Sequence, residues 1–417
     1  IVILGASHDQ LFMIKTANEM GLGTIVFDAN SKSIGSKFCS LFINIDFSNT
    51  NKVISELEKL ISNGMNIKGI STMGSDVPHI LSEISNYFGW IGPSKYTSTL
   101  TTNKLMLKNK LLEGGFPVPH FSKVYDYNSV VKFWDSIKCD NLILKPVDQS
   151  GSRGVKVIKE KSEIKEAINH ARKFTKLDYL LAEEFIPGLQ ISTESIFSNG
   201  ICSTPGFADR LYNTTKNFHP LIIENGGWVP SILNENDIKD IKNLIESASK
   251  FLGINSGISK GDIVLHSNKG PMIIEIAARL SGGDFSESLV PLSSGVNYVK
   301  EAIKICIGKE VDWFSMKPTS NFVLANRYFF IPPGKLSNVK NIELIEKMDE
   351  VVKIKISHKI GSNVKPIESH SDRGGVFIVN AESRKLGNEV IRFIYEKVKF
   401  KINGRWVTGN PLHYNLV

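Results

Sequence analysis

Along the first hundred residues, apolar and polar positions alternate at two periods. Short apolar runs at 1–4, 24–27, 41–45 and 69–72 have strand length, and residues 11–20 and 53–61 between them place apolar side chains at helical spacing. Repeated strand-then-helix predicts a parallel sheet wrapped by helices. Asp76 ends the run Met73-Gly74-Ser75-Asp76 and is placed to cap a helix reaching Asn86. Open parallel sheets bind ligands beyond the carboxyl ends of their strands, so Gly5, Ser7 and the 74–76 turn lie where a substrate would sit.

A lysine-studded helix is expected over 99–112, stopped by Gly114-Gly115 and by Pro117 and Pro119, which mark a boundary. Beyond it come strand 121–125, helix 129–137, strand 142–144, a glycine-rich loop, strand 155–158 and helix 163–174, a compact unit with the proportions of a lid. Strands dominate 179–208 and 257–276 around a helix at 236–252, which suggests a mixed sheet. The tail after 315 reads as α+β, with strands at 321–330, 351–356 and 375–379 and a helix at 383–397. The expected organisation is an α/β unit over 1–98, a middle unit over 99–315 whose lid spans about 116–185, and an α+β unit over 316–417.

Composition narrows the function classes. The chain has 417 residues, 41% apolar and 22% charged, as ordinary globular proteins do. No run of about 18 apolar residues occurs, and the short apolar opening Ile1–Gly5 passes at once into polar residues without the basic stretch or cleavage site of a leader, so a soluble, cytoplasmic protein without a membrane partner is expected. The four cysteines are scattered and the nine histidines form no HExxH pair, which argues against a disulfide framework and a zinc hydrolase. The net charge of +8 is spread over the whole length among acids, without the clustering of a nucleic-acid patch. Asp28 ends the second strand as a ribose-binding acid would, but the loop after the first strand lacks GxGxxG.

Three segments carry candidate chemistry. In the first, Leu144-Lys145-Pro146 is followed by Ser150-Gly151-Ser152-Arg153-Gly154, a lysine at a strand end and then a small-residue loop. Glycines let backbone N–H groups approach an anion, and Lys145 can neutralise it; the alternative is an ordinary Gly-Ser hairpin. The second is Glu183-Glu184-Phe185-Ile186-Pro187-Gly188, where two acids interrupt an apolar strand before a turn. Such a hinge strand can bind the amino edge and ribose of adenosine, or merely turn its acids to solvent at a sheet edge. The third pairs Lys260-Gly261-Asp262 with Glu275 across a 266–270 turn, and Arg279 follows four residues later. Adjacent antiparallel strands would bring Asp262 and Glu275 together as a magnesium pair, the bland alternative being a structural salt bridge.

In this order the three segments resemble the ATP-grasp superfamily over about residues 1–310. Glu-Glu-Phe-Ile-Pro-Gly, Ser192-Thr193-Glu194 and Glu275-Ile276-Ala277-Ala278-Arg279-Leu280-Ser281-Gly282-Gly283 look most like the ligases acting on amino acids. The resemblance implies an ATP-grasp fold with a Rossmann-like N-terminal domain, a lid and a C-terminal α+β region. It also implies an ADP-forming ligase that joins a small-molecule carboxylate to an amine through an acyl phosphate, using ATP and Mg2+ (or Mn2+), as a homodimer. Carried over by position, Lys104 and Lys145 hold the phosphates beneath the loop of Ser150, Gly151, Ser152 and Gly154. Glu183, Glu184, Phe185 and Ile186 form the adenine strand, with Gln190 at the ribose. Asp262 and Glu275 bind metal, and Arg279, Lys260 and Arg210 stabilise the transferred phosphoryl group. Two positions depart from the family pattern: Gln190 replaces a ribose-binding Glu, and Ala277 replaces an Asn beside the metal. A carboxylase acting through carboxyphosphate shares these motifs, and a nucleotide-binding regulator without turnover is the remaining alternative. The turn Ser371-Asp372-Arg373-Gly374-Gly375 also resembles one in related ligases, where Arg373 would reach either a substrate carboxylate or only a helix end.

Overall fold

The computed structural model describes residues 1–212 and 215–416; the side chains of 215, 216, 415 and 416 lie outside that description. The N-terminal part is a four-stranded parallel sheet of Val2–Leu4 (β1), Ile25–Phe27 (β2), Leu41–Ile43 (β3) and Ile70–Ser71 (β4) in the order β3-β2-β1-β4. Helix His8–Glu19 (α1) opens on a capping box, Ser7 accepting from the Asp9 N–H while Gln10 reaches back. Thr50–Ser62 (α2) and Pro78–Phe88 (α3) complete this unit. The cap of α3 is Val77 rather than Asp76, whose carboxylate is drawn away by Arg279.

The single helix expected over 99–112 is two helices, Lys95–Thr102 (α4) and Lys104–Glu113 (α5). Asn103 breaks them: its backbone is extended and its side chain accepts from the Leu105 and Met106 N–H groups, capping α5. The break also frees the Lys104 N–H to bond Val147 O at 2.9 Å, which pins α5 to the segment just after Lys145. The stretch expected to form a lid contains an antiparallel sheet of Phe121–Val124 (β5), Leu142–Lys145 (β6), Lys156–Ile158 (β7) and Leu180–Glu184 (β8) in the order β5-β8-β6-β7. Tyr127–Ile137 (α6) and Ile164–Arg172 (α7) cover it around a core that includes Phe133, Trp134, Leu144 and Ala182.

The central sheet has eight strands. Leu189–Ser198 (β9), Ile201–Arg210 (β10), Gly227–Val229 (β11), Gly257–His266 (β12) and Gly270–Ala277 (β13) are joined by Val323–Phe329 (β14), Val351–Ile356 (β16) and Gly375–Ala381 (β18). Gly334–Lys340 (β15) and Asn363–Val364 (β17) pair instead in a small C-terminal sheet with Lys399–Ile402 (β19) and Arg405–Thr408 (β20). The central sheet is not mixed as expected: each of its pairings is antiparallel. It runs without interruption from strands before residue 315 into strands after it. One face packs on α1 and helix Tyr298–Cys306, the other on α5 and helix Glu235–Phe251, so two hydrophobic cores grip the strands that carry the site. Among the described residues no helix is long and apolar enough to cross a membrane.

Candidate functional site

The hairpin β12–β13 sets Asp262 directly opposite Glu275, with a register shift just after them. Opposed residues in antiparallel strands have Cβ atoms about 5 Å apart, so the two carboxylates share one point above the sheet. Asp262 accepts from Ser192 Oγ and Arg210 Nη1, each at 3.1 Å, and from Lys260 Nζ. Glu275 Oε1 accepts from Lys104 Nζ at 2.9 Å. Burial alone would raise the Asp262 carboxyl, but Lys260 and Arg210 outweigh it and hold the group well below the usual carboxylate range. Among the described residues no three His, Cys, Asp or Glu side chains gather as a metal cage. Two carboxylates facing a phosphate site still fit Mg2+, which takes one or two protein carboxylates and fills its octahedron with phosphate oxygens and water.

Cations surround this pair. Lys104 Nζ also donates to Gln149 O at 2.6 Å. Lys145, at the end of β6, meets Glu183 Oε2 at 2.7 Å, and Lys108, one helical turn after Lys104 on α5, meets Oε1 of the same carboxylate at 3.3 Å. The Glu183 carboxylate therefore lies between two lysines; burial would raise its pKa, but Lys108 and Lys145 pull it down. Glu184 points the other way and pairs with Lys269 at 3.1 Å. Backbone alternation along β8 explains this split, since successive side chains leave opposite faces of a strand. The Phe185 N–H donates to Asn141 O at 3.0 Å, and Ile186 packs on Val264 and Met272. Gln190 lies two residues before Ser192 on β9, hence on the same face, opposite Arg210.

The loop between β6 and β7 turns through left-handed backbone at Gly151, Ser152 and Gly154 (φ +63°, +60° and +74°). A Cβ at Gly154 would lie 2.8 Å from Pro146 Cγ, so glycine is required there for conformation and space alike. Ser150 in this loop lies close enough to the Asp76 carboxylate to favour its ionised form, and Arg279 grips the same carboxylate. Burial works against ionisation of Asp76, yet Arg279, Ser150 and Lys104 together hold it ionised far below the ordinary range. The parallel-sheet domain thus contributes a carboxylate to the same cleft.

Beyond Arg210 a second basic and aromatic group lines the cleft. Arg210 grips Glu224 as well as Asp262. Arg373 donates to Glu224 O at 3.2 Å, and its guanidinium stacks 3.3 Å from the Tyr328 ring centroid. The structure thus brings Lys104, Lys260 and Arg210 onto Asp262 and Glu275, whereas Lys145 pairs with Glu183 and Arg279 with Asp76. Lys108, Glu224 and His370 were missed from sequence. A signal existed for Lys108, which stands four residues after Lys104 on a helix and so shares its face; Glu224 immediately precedes the turn-like run Asn225-Gly226-Gly227-Trp228.

Glu194, on β9 opposite Lys260, is fully buried. Its Oε1 accepts from the Ser281 N–H at 2.8 Å, fixing the start of the loop after Arg279. Burial pushes its pKa up to about 7 from the ordinary 4.5, against the opposing pull of Ser281, Arg279 and Lys260. The folded state then binds this proton more tightly than the unfolded chain. The associated stability is fully present below pH 4.5 and is lost as pH rises through 7, a swing on the order of 3 kcal/mol. Urea unfolding at pH 5 and pH 8 is expected to show that loss in the wild type and much less of it in Glu194→Gln. An equal loss in both would assign the pH dependence elsewhere.

Residues 101–283 match the ATP-grasp domain, and residues 327–403 match the L-amino acid ligase C-terminal domain 2. The chain is 21% identical over 299 residues to an L-arginine-specific L-amino acid ligase of Bacillus subtilis, an alignment covering 69% of each protein. The crystal structure of an L-amino acid ligase from Bacillus licheniformis superposes with a TM-score of 0.81 at 17% identity over 98% of both chains. An N5-carboxyaminoimidazole ribonucleotide synthetase from Thermotoga maritima shares the fold at a TM-score of 0.71 and 16% identity, over 96% of this chain and 98% of that one. Residues 101–283, which hold the carboxylate pair, the lysine-rich cleft and the glycine loop, are thus an ATP-grasp domain.

Proposed function

We propose that the chain joins a carboxylate to an amine, forming an amide and releasing ADP and phosphate. The observation that carries this reading is the convergence of Lys104, Lys260 and Arg210 on the Asp262–Glu275 pair beside a glycine loop. A carboxylate does not condense with an amine at neutral pH because hydroxide leaves poorly. Arg279 and Lys260 are placed to hold the carboxylate and the γ-phosphoryl group together. A carboxylate oxygen attacks the γ-phosphorus while its bond to the bridging oxygen breaks, and ADP leaves. The amine then attacks the acyl carbon, the carbon–oxygen bond to phosphate breaks, and the nitrogen gives up a proton. Lys104 and Lys145 balance the negative charge of the nucleotide, and Arg210 and Arg279 that of the transferred group, the kind of preorganised stabilisation that dominates phosphoryl transfer. Asp262 and Glu275 would hold Mg2+, which when bound neutralises phosphate charge. Residues 150–154 keep water from the acyl phosphate.

The test is ADP release from Mg-ATP over a panel of amino acids, singly and in pairs, with and without bicarbonate. The ligase reading expects release that needs a carboxylate plus an amine and that Glu275→Ala abolishes. Release that needs bicarbonate would instead favour the carboxylase chemistry, and ATP binding with no release over a broad panel would favour a regulator.

A further inference from the structure

The tip of the 150–154 flap rests on a turn contributed by the far end of the chain. The His370 N–H donates to Gly151 O at 3.1 Å, and the His370 ring Nε2 lies 3.0 Å from Ser152 Oγ. The same Nε2 is 3.3 Å from the backbone nitrogen of Glu224. A backbone N–H can only donate, so Nε2 is an acceptor here, Ser152 donates its hydroxyl hydrogen, and the ring proton belongs on Nδ1. Arg373 fixes the turn from behind, donating to His370 O at 2.7 Å and to Glu224 O at 3.2 Å. One neutral imidazole therefore ties together three segments: the flap, the strip that carries Glu224, and the 369–373 turn.

Two further observations favour a built contact. Ser152 adopts φ +60°, a region that non-glycine residues seldom enter, within a loop that uses glycine at its other left-handed positions. A serine held there is explained by the use of its hydroxyl. Burial first, and then the neighbouring positive charge of Arg373, hold the His370 pKa down to about 3, so the ring stays an acceptor at neutral pH.

We propose that His370 is a positioning residue that latches the 150–154 flap to the Glu224 wall of the cleft, so that the flap seals only when that wall is in place. Its consequence for turnover rests on the ligase reading. A flap that fails to seal admits water to the acyl phosphate, and water then competes with the amine for the acyl carbon.

The experiment compares the full-length chain with His370→Leu, Ser152→Ala and His370→Gln, each first shown to melt cooperatively. Gln carries an acceptor oxygen near the position of Nε2, whereas Leu has none. Hydrogen exchange of the 150–157 amides is measured with Mg2+ and a non-hydrolysable ATP analogue, and ADP released per amide formed is measured in turnover. Exchange about tenfold faster in His370→Leu and Ser152→Ala, with His370→Gln within about twofold of wild type, is expected. The ratio of ADP to amide is expected to rise severalfold in the first two variants alone. Unchanged exchange in His370→Leu, or Gln failing as badly as Leu, overturns the latch. If the wild type forms no amide, the ligase reading fails, and the exchange comparison still decides the latch.

Discussion

Replacing Arg279 with Met is expected to lower the rate of ADP release at saturating substrate by about 10²–10³-fold, while binding of a non-hydrolysable ATP analogue changes only a few-fold. Arg279 leaves the end of β13 four residues after Glu275 and is clamped by Asp76, whose ionised form the nearby flap residue Ser150 also favours. It therefore stands where the parallel-sheet domain, the flap and the carboxylate pair meet. Charge develops there only as the phosphoryl group moves, so its loss should appear in kcat rather than in nucleotide affinity. Arg279→Lys keeps the charge but loses the planar fork and should fall between the two. A kcat unchanged in Arg279→Met would remove the residue from the proposed chemistry.

Glu183→Gln should be among the most destabilising single changes in the chain. It leaves Lys108 and Lys145, both buried, facing each other with no counter-ion. Breaking a buried ion pair from one side costs about 3–5 kcal/mol, because an uncompensated charge remains. Lys108→Met leaves the Glu183–Lys145 pair intact and should cost less stability. It should weaken ATP binding instead: Lys145 can turn toward phosphate only if Glu183 keeps another cation, and Lys108 is that cation. Urea unfolding of both single variants and of Lys108→Met/Glu183→Gln supplies a double-mutant cycle. A cycle that closes additively would show that the triad is not coupled.

What the sequence disclosed was mostly local. The β12–β13 hairpin is read from two apolar runs and one turn, so the meeting of Asp262 and Glu275 was visible before any fold was known. The same holds for the strand–helix alternation of the first 90 residues and for the strands and helices between 121 and 184, where periodicity and Gly-Pro punctuation coincide. Asn103 shows the limit of periodicity: lysines and leucines on both sides continue a helical pattern, and only a side-chain cap divides it. The wholly antiparallel central sheet also escaped, since β11 is three residues long and β14 and β18 come from a part of the chain read as separate. Contacts that close the site span great distances along the chain. Ser152 and His370 are 218 residues apart, and Arg279 and Asp76 are 203 apart. No periodicity encodes such pairs, which tertiary packing alone creates. Glu183 carries the same lesson: its motif placed it in the nucleotide strand, and only the fold shows the two lysines on its carboxylate.

The most direct test of the acyl phosphate is to follow oxygen. With a carboxylate substrate labelled by 18O on both oxygens, and its amine partner identified by the release assay, the account predicts one 18O in each inorganic phosphate released and one retained in the amide. Unlabelled phosphate beside amide product would contradict it.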